Sequence, residues 1–143
     1  MAQPTDLQEY LAHLADSTRG SATERLAALE PKRRNLILAA RFDYDVRKGG
    51  FAQFLYNMHG ELLAEVEDML IGANAVVAHE AYVQAMKTCL ADKKEYQRFL
   101  ASAYTEENSI KNALHMVTLA YFSKKIPFAV EAHTYLVKAL ADS

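Results

Sequence analysis

Two adjacent glycines, Gly49-Gly50, interrupt a chain whose apolar residues otherwise recur almost throughout at helical spacing. Glycine is unfavourable inside a helix but suits a position that needs positive φ, so the pair predicts a break between two helices. The residues that follow at once, Phe51, Phe54 and Leu55, keep the i, i+3, i+4 spacing of a buried helical face. Gln53, Tyr56 and Asn57 set polar groups among them. A corner at the glycines that brings backbone close to an aromatic cluster is the expected local structure. Two roles stand open for the polar trio: hydrogen bonds to backbone groups freed by the break, or the lining of a binding groove.

The same pattern continues on both sides. Leu7, Tyr10, Leu11 and Leu14 make an apolar stripe behind the capping-box spacing of Thr5 and Gln8, and Gly20 ends that helix. Ser21 and Glu24 repeat the spacing before Pro31 interrupts. A longer helix over residues 32–48 carries Leu36, Ile37, Ala40 and Tyr44. Its basic start, Lys32-Arg33-Arg34, reads as solvated, with a salt-bridging or partner role as the alternative. After the glycines come a short helix to Met58 and an amphipathic one over residues 61–71. In the latter, Leu62, Leu63, Val66, Met69 and Leu70 face inward, and Glu61, Glu65 and Asp68 share the outer face. Asn74 reads as the N-cap of the next helix, Asp92 with Glu95 as a further capping box, and Thr105 as a helix start. Pro127 opens the last helix. No run of alternating β-branched residues reads as a strand. The fold class expected is all-α: one compact domain of about seven to nine helices spanning residues 1–143.

Residues 45–57 also carry a resemblance. Asp45, Gly49, Gly50, Phe51, Gln53, Phe54, Tyr56 and Asn57 match the signature of a bacterial family of small helical proteins related to a DNA-mimic protein. That signature is an acid, a spacer, Asn-Gly-Gly-Phe, a variable residue, Gln, two aromatics and Asn. Lys48 stands where the family has Asn, and Leu55 where it often has an aromatic. The likeness runs over residues 36–90 and includes the break at Ile71-Gly72-Ala73. It implies a helical domain, a dimer, and a role in binding other proteins. In the best-understood member an acidic surface imitates the phosphate backbone and occupies a DNA-binding protein.

Charge decides how far that mechanism transfers. The net charge is −2, too little for a strong mimic of DNA. Yet residues 49–86 contain no Lys or Arg and five acids: Glu61, Glu65, Glu67, Asp68 and Glu80. A one-signed block can steer a basic partner, although a plain solvated face gives the same pattern. The expected function is a non-enzymatic regulatory or immunity-type protein-binding domain, with Glu61, Glu65 and Asp68 as the partner-binding face and a basic, DNA-binding protein as the partner. The alternative is a small-molecule-binding or enzymatic domain with a polar cleft near Tyr56, Asn57 and His59.

Chemistry-bearing motifs are otherwise few. His13, His59, His79, His115 and His133 show no i, i+4 pair, and no Glu-x-x-His occurs. Glu131 and His133 point to different sides of a helix. No nucleophile elbow or phosphate loop is visible, so no cofactor, metal or catalytic residue is expected. Scattered basic residues argue against direct nucleic-acid binding. The absence of a run of about 18 apolar residues argues against a membrane span. The single cysteine, Cys89, and an N-terminus unlike a signal peptide suggest the cytoplasm. Cys89 itself reads as a buried structural thiol. A homodimer is expected through the helix at residues 105–122, with Tyr104, Tyr121 and Phe122 near its ends, although the same aromatics read equally as core.

Overall fold

The computed structural model describes residues 4–18 and 23–142. Among them the chain forms nine helices and no strand: α1 (Pro4–Ser17), α2 (Thr23–Ala27), α3 (Pro31–Met58), α4 (Leu63–Gly72), α5 (Val76–Ala91), α6 (Lys93–Ala101), α7 (Ser109–Ser123), α8 (Phe128–Glu131) and α9 (His133–Ala141). The all-α expectation therefore holds. The capping side chains expected at Thr5 and Ser21, and the stop at Gly20, lie outside the described residues.

The spine of the molecule is α3. It packs against α1, α2, α4, α7 and α9, while α5 packs against α4, α6, α7 and α8. The helix is kinked inside its length, where Gly50 has φ 76° and ψ −172°. The kink folds the aromatics on its two sides onto one another. Phe42 stands edge-on to Phe51 at 5.8 Å, to Phe54 at 5.2 Å and to Phe128 at 5.0 Å between ring centroids. Phe42, Phe51, Phe54 and Leu55 are fully buried. Edge-to-face pairs add about 0.5–1.5 kcal/mol each beyond burial alone, so this cluster anchors the corner.

The last helix expected from Pro127 divides at Ala132 into α8 and α9, and three further boundaries differ from the sequence expectation, each for a local reason. Between α3 and α4 the chain reverses through His59, Gly60 and Leu62, with φ of 55°, 76° and 56°. That reversal consumes Glu61, so α4 begins at Leu63. Asn74 does not cap α5. It adopts φ 58°, donates its N–H to the Ile71 carbonyl at 3.0 Å, and is followed by the Ala75 N–H on Leu70 O at 3.1 Å. This is the Schellman closure of α4, in which Asn tolerates the left-handed position. Thr105 does not start a helix. Residues 102–108 form a loop, and Asn108 caps α7 by accepting from the N–H groups of Ile110 and Lys111. The capping role expected of Asp92 is seen, its carboxylate accepting from Glu95 N at 3.1 Å.

Candidate functional site

The Gly49-Gly50 kink organises the residues of the signature into two groups. The first fixes the corner. A Cβ on Gly50 would lie 2.6 Å from Thr118 Oγ1 and 2.8 Å from its Cγ2, so only glycine admits α7 at this distance. Thr118 is buried; its hydroxyl accepts from the Phe51 N–H at 2.9 Å and donates to the Leu114 carbonyl at 3.0 Å. A backbone donor left open by the break is thus satisfied by a side chain 67 residues away. Tyr56 belongs to this structural group. Its hydroxyl donates to the Ser102 carbonyl at 2.6 Å, and its ring packs on Phe99 and Tyr104.

The second group lines a polar cleft. Asp45, Gly49, Gln53 and Asn57 share it with Asp16 of α1 and with Tyr44 and Lys48, around a cavity of about 410 Å³. Its wall is a hydrogen-bonded relay across the kink. Asn57 donates through Nδ2 to Asp45 Oδ2 at 3.1 Å, and Gln53 donates through Nε2 to Asn57 Oδ1 at 3.0 Å. Asp45 is almost wholly buried, so the amide of Asn57 replaces water for one of its oxygens. A Cβ on Gly49 would come within 2.5 Å of Gln53 Cβ, so this glycine leaves room for the relay. Gln53 and Asn57 thus line the cleft, Tyr56 bonds a carbonyl of the α6–α7 loop, and the amide freed by the break is met by Thr118 and by none of the trio. The expected cleft near Tyr56, Asn57 and His59 is corrected in its lining: Asn57 is in it, while Tyr56 points into the α6–α7 loop contacts and His59 is exposed in the reversing turn. Asp16, Tyr44 and Lys48 escaped the sequence reading. A spacing of Tyr44 and Lys48 at i, i+4 was the available signal.

The acidic face is less regular than the sequence suggested. Glu65 and Asp68 lie on α4, half-buried and exposed, but Glu61 sits in the turn before it and does not continue a helical stripe. Glu67 reaches the next helix, its carboxylate 3.0 Å from His79 Nε2. Among the described residues, no ion pair involves Glu65 or Asp68, and several cations are engaged elsewhere. Arg47 holds Asp43 at 3.0 Å, Arg98 holds Glu95, and Lys111 donates to the carbonyls of Tyr104 and Glu106 at 2.7 Å. Lys32 and Arg33 are exposed.

The remaining candidates resolve into structural roles. Glu131 accepts from the N–H groups of Val77 at 2.8 Å and Ala78 at 3.0 Å, a carboxylate set at the open start of α5. Cys89 is buried, and desolvation raises its thiol to about 12. Asp43 is buried beside Arg47, and burial raises its carboxyl against the opposing pull of that guanidinium. Among the described residues no group of three or more His, Cys, Asp or Glu side chains is placed to hold a metal ion. None of the described helices is long and apolar enough to cross a membrane.

Two residues expected at a dimer contact, Tyr104 and Tyr121, are packed inward; Tyr121 rings against Phe51 at 5.7 Å. The exposed side of α7 instead carries Met116, Leu119 and Phe122. In comparison with known proteins, a family model described as DMP19-like protein matches residues 27–137. No match was found among curated proteins or solved structures.

Proposed function

This chain belongs to the DMP19-like protein family, and on that basis and its charge layout we propose that it is a regulatory or immunity-type protein-binding domain and not an enzyme. The carrying observation is the acidic surface around α4. Residues 49–86 supply Glu61, Glu65, Glu67, Asp68 and Glu80 with no Lys or Arg among them. Glu65 and Asp68 are joined by no ion pair among the described residues. Such a face attracts a basic protein surface of the kind that DNA-binding proteins present, and it acts on the rate of encounter more than on final affinity. At a net charge of −2 the whole molecule does not resemble a DNA duplex. Recognition therefore falls to this one patch, in the cytoplasm of a bacterium, without direct contact to nucleic acid.

The test is capture of the partner from the native bacterium, followed by stopped-flow binding with the Glu61→Lys/Glu65→Lys/Asp68→Lys variant. Slower association and a shallower salt dependence support the reading. A folded variant with unchanged on-rate and salt dependence refutes it.

A second reading is favoured by one observation, the polar relay of Asp45, Asn57 and Gln53 around its cleft. A small polar ligand would be held there. Isothermal titration against polar metabolite pools, repeated with Gln53→Ala, separates it from the first reading.

A further inference from the structure

Opposite charges line the polar cleft at the kink without pairing with one another. Asp16 of α1 and Asp45 of α3 bring two carboxylates, and Lys48 brings one ammonium, around the same cavity of about 410 Å³. Among the described residues no ion pair joins Lys48 to either acid; its Nζ lies 5.9 Å from the centroid of the Tyr44 ring. Resting on the second reading above, we propose that the cleft binds a small zwitterion of the amino-acid class. Its ammonium is directed toward Asp16 and Asp45, and its carboxylate toward Lys48.

The unmade ion pair is the first ground. Lys48 and Asp45 stand three residues apart on one helix, a spacing at which opposite charges ordinarily meet. Here each is held by another group. The Lys48 ammonium sits over Tyr44, and Asp45 Oδ2 accepts from Asn57 Nδ2 at 3.1 Å, with Gln53 bonding Asn57 in turn at 3.0 Å. Charge is therefore separated in the cleft beforehand, and Lys48 leaves no salt bridge to meet a ligand, which lowers the cost of binding. Accessibility is the second ground. Asp16 and Lys48 are exposed, and Tyr44, Gln53 and Asn57 are half-buried, whereas Asp45 is only 7% exposed. Direct contacts thus fall to Asp16, Lys48 and the Gln53 amide, and Asp45 adds its field from within the wall. Both acids have further interactions in the fold. A carboxylate has about four acceptor sites, so a ligand ammonium joins those contacts and does not displace them. Selection by charge is the third ground. A simple cation leaves Lys48 unanswered and is repelled by it. A simple anion meets two acids of its own sign, and a neutral polyol uses the amides alone. A zwitterion answers both signs.

The experiment is a two-dimensional amide NMR titration of the full chain with L-alanine and β-alanine. L-Alaninamide, which lacks the carboxylate, N-acetyl-L-alanine, which lacks the ammonium, and glycerol serve as comparisons. Saturable shifts at Lys48, Gly49, Gln53 and Asn57 are expected with at least one of the two amino acids. Each half-charged compound should bind weaker by about tenfold or more, the size of one hydrogen bond to a charged group. Lys48→Met, a change at an exposed position, should leave the remaining spectrum in place and bring the amino acid down to the level of alaninamide. Asp16→Asn should bring it toward the level of N-acetyl-L-alanine. No saturable shift with either amino acid overturns the proposal. So does equal or tighter binding of alaninamide, N-acetyl-L-alanine or glycerol, or wild-type affinity in Lys48→Met. Tight binding of glycerol or of one half-charged compound leaves the second reading standing. That reading falls separately, if the metabolite pools give no heat that Gln53→Ala removes.

Discussion

Replacing Gly50 by alanine should cost far more than a surface substitution, and the structure separates the reasons. At φ 76° and ψ −172° the residue sits in a region that is essentially reserved for glycine, and forcing a side chain there costs about 1–3 kcal/mol. The new methyl would also meet Thr118 Oγ1 at 2.6 Å and Cγ2 at 2.8 Å. Thr118 is β-branched, buried and bonded on both sides of its hydroxyl, so it cannot swing away freely. Displacing it strands the Phe51 N–H, a further loss of about 1–3 kcal/mol. Alanine returns about 0.4–1 kcal/mol by restricting the unfolded chain. The net expectation is a destabilisation of about 1–6 kcal/mol, set against a total stability of about 5–15 kcal/mol. Urea denaturation followed by far-UV circular dichroism measures it, with Gly72→Ala as the internal control. A Cβ on Gly72 meets nothing within 4 Å, so the same chemical change should be neutral or stabilising by up to about 1 kcal/mol there. Adding Thr118→Ala to Gly50→Ala should cost less than the two single changes combined, because the clash disappears with the threonine. A Gly50→Ala midpoint equal to wild type, or strict additivity in the cycle, would refute this account of the corner.

Glu131→Gln should lower stability by about 1–2 kcal/mol, the range for losing a helix cap, and speed amide exchange at Val77 and Ala78; unchanged exchange there would show that the carboxylate does not hold α5. Cys89, buried and with its thiol raised to about 12, should resist a thiol reagent at pH 8 until urea unfolds the chain, so stoichiometric labelling of the native protein contradicts its placement. Asp43 holds its proton in the folded state to higher pH than its ordinary 3.8. Its contribution to stability is therefore greatest below about pH 4 and declines as pH rises through the raised value, and the difference between wild type and Asp43→Asn should follow that sign. An opposite slope would place Arg47 above desolvation in setting this carboxyl. If the chain dimerises as proposed through α7, Met116→Glu/Leu119→Glu should yield monomers in sedimentation equilibrium, and a wild-type monomer at tens of micromolar removes the dimer.

What the sequence revealed depended on how local each determinant is. The positive φ at Gly50, the Asp92 cap and the apolar faces were legible because residues within one or two turns decide them. Asn74 was misassigned because an asparagine between two helices suits either the end of one or the start of the next. In the structure Asn74 closes α4, and the open N–H groups at the start of α5 are met by Glu131 instead. Glu61 was placed on α4 by charge spacing alone, whereas the three left-handed residues around it belong to a reversal that spacing cannot show. In the polar cleft, Gln53 and Asn57 were visible and Asp16 was not, since α1 reaches Asp45 only through the tertiary fold. Tyr121 read equally well as interface or core. Its ring contact with Phe51 required the kink to be built first.

The hydroxyl of Thr118 on the Phe51 N–H has a consequence for the order in which the molecule is made. A ribosome delivers the whole of α3 well before α7. During that interval the nascent corner has its glycines but neither the hydroxyl that satisfies its open amide nor the methyl that fills the space beside Gly50. Helical arms on either side can form early from local contacts, while the angle between them stays undetermined until residue 118 docks. The same delay applies to α5, whose first turn waits for Glu131. The C-terminal third of the chain therefore acts as the closing piece of a fold whose family signature lies in the middle, and a nascent chain stalled before α7 would display the aromatic cluster to chaperones and proteases.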